Sequence, residues 1–403
     1  MWSSIKSGDW LTPERLRNYP LIVLALLALA IIGAVALSNN RMGPNGLPLG
    51  SDFSQVWIAG KEVIAGAPEA PFYFDRHSAA QRREFPLTDG VFGWHYPPFF
   101  LAPAAALAHL PYLQALALSQ LSTFAVYLLV ILAIMKNTGV RLSVTLLTAV
   151  AFPAVAINLG HGQNGFLTAA LLGAGFHWLD RAPRAAGAAF ALLVYKPQFG
   201  LSLPLALLVE RRARTIVAAV LVLAVMGAAS VMAFGPGSWR AFFDNLHFTQ
   251  RVVIEQGLTG FEKIQSVFAA ARHMGASVST AWTCQAATTL FVLAALVFLS
   301  RSTADSRAKA AGTILATLLT TPYALDYDLM ALAPVIAFLV SHGMETKFLP
   351  YEKTALAVAY AAPLFARPVA MVVPFPIGVI ALLLLFASTI RHAFAPQSDA
   401  PEA

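Results

Sequence analysis

Apolar runs of near-bilayer length recur along this chain and constrain it more than any other feature. A helix needs about 20 apolar residues to cross the hydrocarbon core, and fewer where it is short or broken. Runs that meet or approach this length occupy residues 19–37, 112–135, 143–159, 166–179, 185–195, 199–209, 216–234, 281–300, 308–320, 329–341, 354–366 and 371–390. The pair around Lys196-Pro197 is too short to span singly, so these two runs are expected to be half-helices meeting at that break. The fold class that follows is all-α: a polytopic transmembrane helical bundle of about 10–12 membrane segments, with an outer-face loop region carrying short amphipathic helices. Composition agrees, with 58% hydrophobic and only 12% charged residues against about 25% charged in soluble proteins.

The net charge of +7 has no basic–aromatic cluster behind it, so nucleic acid is not an expected partner. The basic residues instead fall in alternate connections. Lys136 and Arg141 share one, Arg181 and Arg184 another, and Arg211, Arg212 and Arg214 a third; Arg301, Arg307 and Lys309, then Lys347 and Lys353, then Arg391 follow. With the N-terminal tail they mark a cytoplasmic side. This reading gives a cytoplasmic tail over residues 1–18, one integral membrane domain over 19–392 and a polar cytoplasmic tail over 393–403, expected to lack structure. Lys6, Arg15 and Arg17 precede an apolar run that reaches Ala34-Val35-Ala36, which resembles a secretory signal. The long charged region and the later spans favour an uncleaved first helix. A single cysteine, Cys284, excludes an intrachain disulfide framework and is expected to be a small core residue.

The other connections, 51–98, 160–164, 195–198, 235–279, 321–328 and 366–368, then face outward. They carry Asp52, His161, Gln163, Asn164, Lys196, Gln198, Gln265, Tyr323, Asp326 and Asp328. Mixed polar groups from distant parts of the chain, all returning to one membrane face, are the layout of a site. Asp52 suits a general base taking a proton from a hydroxyl. It equally suits the N-cap of a helix beginning at Phe53. Trp94 and Tyr96 suit an aromatic interfacial belt, and His95 could contact an anionic head group. The glycines of Gly160-His161-Gly162-Gln163-Asn164-Gly165 allow close backbone approach, while Gln163 and Asn164 supply donors and acceptors for sugar hydroxyls. Lys196 lies inside an apolar stretch, where a charge is functional by default. It would bind a phosphate and stabilise a departing one. The acids of Asp326-Tyr327-Asp328 do not have the look of a metal cage. No Ser/His/Asp set, zinc spacing or glycine-rich phosphate loop is present.

Taken in order, an acid just outside the first helix, then Tyr96-Pro97-Pro98, Gly162-Gln163-Asn164, Tyr195-Lys196-Pro197 and Thr321-Pro322-Tyr323 resemble glycosyltransferase family 87, of the GT-C superfamily. The resemblance runs from about Leu21 to Ala366. It implies a polyprenyl-phosphate-sugar-dependent transferase, a mannosyltransferase in the best-known branch. It puts Asp52 at the position of the family's catalytic acid, and Lys196 and Gln163 at motif positions. Asp326 and Asp328 match loosely and receive no role.

The expected function is therefore a hexosyltransferase of a bacterial inner membrane, active on the extracytoplasmic face. It would move a hexose, mannose by the family's best-known branch, from a polyprenyl-phosphate-linked donor to a lipid or glycan acceptor with inversion. Asp52 is the expected base and Lys196 the donor-phosphate ligand. Tyr96, His161, Gln163, Asn164, Gln198, Gln265 and Tyr323 are the expected substrate contacts. No cofactor or metal is expected. The alternative is a polytopic transporter or flippase, which explains the spans and Lys196 equally well but requires neither convergence on one face nor a base.

Overall fold

The computed structural model describes residues 2–39, 41–88 and 90–394. Most of the 393–403 tail lies outside the described residues. Among those described, the chain is all helix and turn, with three isolated β-bridges and no strand. Six helices are long and apolar enough to cross a membrane, or up to seven if one bent pair counts as a span. The six are Pro13–Ala36, Tyr112–Met135, Ala213–Glu255, Val278–Arg301, Asp326–Thr346 and Glu352–Val372. Shorter apolar helices, Pro98–Ala108, Pro183–Tyr195, Pro197–Val209 and Ile377–Ala393, fill out the bundle. The chain is an all-α polytopic membrane protein.

Lipid-facing and core-facing helices differ in chemistry. Pro13–Ala36 starts inside the segment read as the N-terminal tail, where Thr12 caps it by accepting from the Arg15 amide. It exposes Leu21, Ile22, Leu26, Leu29 and Ile32, the apolar surface a helix presents to hydrocarbon. The opposite case is Ser306–Thr320, buried at Ala308 and from Ala310 through Thr320. Its small residues let neighbours close in, as Gly312 does against Leu299.

Three breaks differ from expectation. Residues 143–159 are not one span: Leu142–Val150 and Pro153–His161 bend by 46° at Ala151-Phe152, ahead of Pro153. Residues 366–368 are not a connection. The helix Glu352–Val372 runs straight through Pro363 and Pro368, and the turn falls at residues 373–376, where Pro374 and Pro376 stop it. The connection 235–279 is largely helical. Gly235 adopts φ 76° and kinks the chain, which then continues to Phe248, through a π-helix at Thr249–Glu255 and on to Val267–His273. Lys196-Pro197 does interrupt two short helical segments, as expected.

Residues 51–98 form a folded cap. Phe53–Ile64 and Phe74–Glu84 are amphipathic helices. Phe53, Trp57, Phe72, Phe85, Trp94, Tyr96 and Tyr112 make a core with Phe242 from the kinked helix. Phe72 meets Phe242 edge-on at 6.1 Å, and Phe74 stacks on Phe248 at 5.1 Å. Trp94 and Tyr96 are buried in this cap, so they are not the interfacial anchors the sequence suggested. Cys284, in turn, is exposed on Val278–Arg301 and is not a core residue.

Candidate active site

The site is built where two glycines meet. Gly162 ends the helix Pro153–His161 at φ 63°, with its amide bonded to Leu159 O and the Gln163 amide to Asn158 O, a C-cap that favours glycine. Gly50 also has positive φ. A Cβ on Gly162 would stand 3.0 Å from Gly50 Cα and 2.8 Å from Phe53 Cβ. Only without that carbon can the start of Phe53–Ile64 lie against this turn. The contact sets Asp52 beside His161: the Asp52 amide donates to His161 O at 2.9 Å.

Asp52 is 6% exposed. It stands at the N-cap position, yet its side chain makes no capping bond. One oxygen accepts from Ser51 Oγ at 3.2 Å and lies 3.4 Å from His161 Nδ1. The other accepts from Gln163 Nε2 at 3.2 Å. Burial pushes the carboxyl up. The hydrogen bond and charge of His161, the charge of Lys263 and the Gln163 amide outweigh it, so Asp52 is held below the ordinary aspartate range. Of the two roles open to Asp52 in the sequence, the cap is absent from the geometry.

Gln163 is the hub. Its side-chain oxygen accepts from Tyr96 Oη at 3.1 Å and from the Asn164 amide at 3.2 Å. Its carbonyl accepts from Gln120 Nε2 at 3.0 Å, and Gln120 in turn accepts from Asn158 at 3.1 Å. Asn164 Nδ2 donates to Tyr96 Oη at 3.0 Å, while Asn164 Oδ1 is buried without a hydrogen-bond partner among the described residues. Burial and the Asp52 charge push the Tyr96 hydroxyl upward, so it acts as a proton-bearing donor.

The break at Lys196 brings the next group. Lys196 is 4% exposed and ion-pairs with Asp328, its ammonium bounded by the rings of Tyr195, Phe199 and Tyr327. Asp328 also accepts from the Leu325 amide at 2.8 Å. Asp326 accepts from the Tyr327 amide at 2.9 Å, and lies 3.9 Å from His161 Nε2 and 3.6 Å from Arg367 Nη1. Arg367 Nη1 is 3.5 Å from His161 Nε2. Of the two acids left without a role, Asp326 thus joins the Asp52 network through His161 and Asp328 holds Lys196, while Arg367 joins from a helix interior. The signal for Arg367 was in the sequence, since a cation within an apolar stretch is the feature that singled out Lys196.

Three expected contacts stand apart. Gln198 is half-buried with no side-chain hydrogen bond among the described residues. Gln265 turns to the carbonyls of Glu262 and Lys263. Tyr323 is half-buried and meets His95 edge-on at 6.2 Å. His95, expected to contact an anion, pairs with Thr249 at 2.9 Å; burial and nearby His77 lower its pKa to about 4, which leaves it neutral. Among the described residues no group of three or more His, Cys, Asp or Glu side chains could hold a metal ion.

Fold and site together define a membrane protein with a buried, ionised acid inside a network of amides, hydroxyls and cations at one end of a helical bundle. The family model for glycosyltransferase family 87 matches residues 94–322, more than half of the 403 residues, and the chain belongs to that family. It is a membrane glycosyltransferase, which bears out the resemblance carried by the motifs. The matched segment contains Tyr96, His161, Gln163, Asn164, Lys196, Gln198 and Gln265, and lies between Asp52 and Tyr323. Searches of curated proteins and of solved structures returned no match.

Proposed function

We propose that this glycosyltransferase uses a polyprenyl-phosphate-linked hexose, with mannose as the first sugar to test, and inverts at the anomeric carbon in the manner of the GT-C superfamily. The observation that carries the reading is Asp52: a buried carboxylate, kept ionised, whose contacts come from site side chains and not from a helix end. Such a group can accept a proton from an acceptor hydroxyl without metal assistance. The acceptor oxygen then attacks the anomeric carbon opposite the phosphate. Gln163, Asn164 and His161 provide the donors and acceptors that fix sugar hydroxyls, and Tyr96 holds Gln163 in place. Lys196, directed by Asp328, contacts the donor phosphate through ammonium hydrogens not aimed at that acid. Gln198, Gln265 and Tyr323 make no hydrogen bond to this network among the described residues and are left as the remaining substrate contacts of this reading.

The acceptor in this reading is a lipid or glycan. The end of the bundle carrying Asp52 is extracytoplasmic, with residues 51–98 as the catalytic loop and both termini cytoplasmic. The motivation is the alternation of basic connections. Two measurements test these statements. Membranes containing the protein should transfer label from a polyprenyl-phosphate hexose to an extractable product of inverted anomeric configuration. Absence of transfer with every such donor would remove the reading. A cysteine placed at Asp75 in a Cys284→Ser background should react with an impermeant reagent added from outside. Labelling only from the cytoplasm would reverse the orientation.

A further inference from the structure

The site contains the acids Asp52, Asp326 and Asp328 and the cations Lys196, Lys263 and Arg367, and the cations are not equivalent. Lys196 and Asp328 are buried against each other. Drawing Lys196 away would strand a buried carboxylate, so its charge is already committed. The Lys263 ammonium has no hydrogen bond or ion pair among the described residues, where only its backbone is bonded. It is nevertheless placed by structure. Ile264 bridges Leu325 in antiparallel register, and the Gln265 amide donates to Ala324 O at 2.6 Å. That register sets Lys263 across from Asp326. The residue is half-buried, and its charge acts on both Asp52 and Asp326, which a lysine out in solvent would not do. Arg367 also lies beside Asp326, with Nη1 3.6 Å from it. Its Nε is buried without a hydrogen-bond partner among the described residues, although a third of the side chain is open.

The chemistry proposed above creates a demand for such groups. When the acceptor oxygen bonds to the anomeric carbon, its proton passes to Asp52. The bond from that carbon to the phosphate oxygen breaks, and its electron pair stays on the phosphate. A phosphodiester with one negative charge becomes a monoester with up to two. Groups that meet the added charge lower the barrier; groups already neutralised contribute mainly to ground-state binding.

We propose that Lys263 and Arg367 form the anion site that receives the phosphate leaving the sugar, with Lys196 and Asp328 as the frame beneath it. The inference rests on the glycosyltransferase reading above and names residues for a step that reading left to Lys196. The bound species is a phosphate monoester on a lipid chain.

The test is binding to purified protein in detergent of a polyprenyl monophosphate, with the uncharged polyprenol as reference. Wild type should prefer the monophosphate. Lys263→Gln and Arg367→Gln should each weaken monophosphate binding by about tenfold or more and leave polyprenol binding unchanged. Lys263→Arg and Arg367→Lys should keep most of the preference. If Arg367→Gln does not fold, Lys263→Gln, in a connecting segment, carries the test with its Arg counterpart. A preference intact in both Gln variants overturns this assignment alone. Wild type that binds polyprenol and monophosphate alike overturns the lipid-phosphate reading and this assignment with it. Phosphatidylglycerol vesicles that compete as well as the monophosphate, with the competition lost in Lys263→Gln, would identify a general head-group site and also overturn it. Lys196→Met, which removes a contact already committed to Asp328, should weaken monophosphate binding less than Lys263→Gln does; a larger effect of Lys196→Met, at equal thermal stability, would return the role to Lys196.

Discussion

The two ends of the bundle each bury an acid against a histidine, and the pairs are built to opposite purposes. At one end Glu352 uses both oxygens: one meets His392 Nε2 at 2.7 Å and the other accepts the Leu349 amide at 2.7 Å. His392 packs edge-on against His342 at 4.9 Å, and beside them Arg307 ties Asp305 to Glu345 and to Ser341. The N-terminal segment joins this end through Trp10 to Thr354 and the Tyr351 amide to Lys6 O. At the other end the Asp52 contacts are 3.2–3.4 Å long. Among the described residues, Asn164 Oδ1 and Arg367 Nε have no hydrogen-bond partner, and Lys263 has no counter-ion within ion-pair distance. Short contacts to both oxygens of the acid hold a fold, even though His342 Nδ1 beside them has no hydrogen-bond partner among the described residues. Long and incomplete ones are what a site shows before its substrate completes them.

The strongest way to break this comparison is to neutralise the two acids separately. Asp52→Asn keeps the shape and the hydrogen bond from Gln163 but cannot take a proton. Transfer should fall by about 10²–10⁴-fold, with the thermal unfolding midpoint close to wild type. Near-normal transfer by a stable Asp52→Asn protein would remove Asp52 as the base. Next in size is Glu352→Ala, which strands His392 and the Leu349 amide. It should cost about 3–5 kcal/mol of stability, while transfer per folded molecule changes little. A stable Glu352→Ala protein with lost activity would mean that this end is functional after all.

A smaller effect is expected at the glycine contact. Gly162→Ala puts a Cβ at positive φ and against Phe53 Cβ at 2.8 Å. About 1–3 kcal/mol of destabilisation, together with a drop in turnover beyond the folded fraction, would confirm that this contact sets Asp52. Turnover that merely tracks folded protein would make it structural only.

The smallest effect concerns pH. The folded pKa of Asp52 is depressed, so its ionised form contributes stability above the ordinary aspartate pKa and loses that contribution as pH falls through the depressed value. The acid limb of kcat/KM that reports Asp52 should accordingly lie below the ordinary aspartate range. In His161→Gln the strongest opposing influence is gone and burial remains, so this limb should move upward. An unmoved limb would uncouple His161 from Asp52.

Much of this molecule was legible in the chain. Bilayer-length apolar runs leave few folds open, because unpaired backbone is intolerable in lipid. The break at Lys196-Pro197, the polar turn at 160–165 and the ordered motifs of the family were readable for the same reason: charge, proline and glycine are costly there unless used. Asp52, His161, Gln163, Asn164, Tyr96 and Lys196 were picked from residue type and motif, and the fold brings the first five into one network with Lys196 next to it beside Tyr195. Partnership was not readable. That Asp328 neutralises Lys196, that Arg367 lies within a helix beside Asp326, and that Lys263 faces Asp326 all depend on which segments pack together. Residue type and period set what each segment must bury or satisfy. Which groups satisfy one another across 100 residues or more, as Asp52 does with Gln163 at a separation of 111, is decided only when the helices are packed, because a buried polar group accepts any partner of suitable geometry and sequence spacing does not specify which.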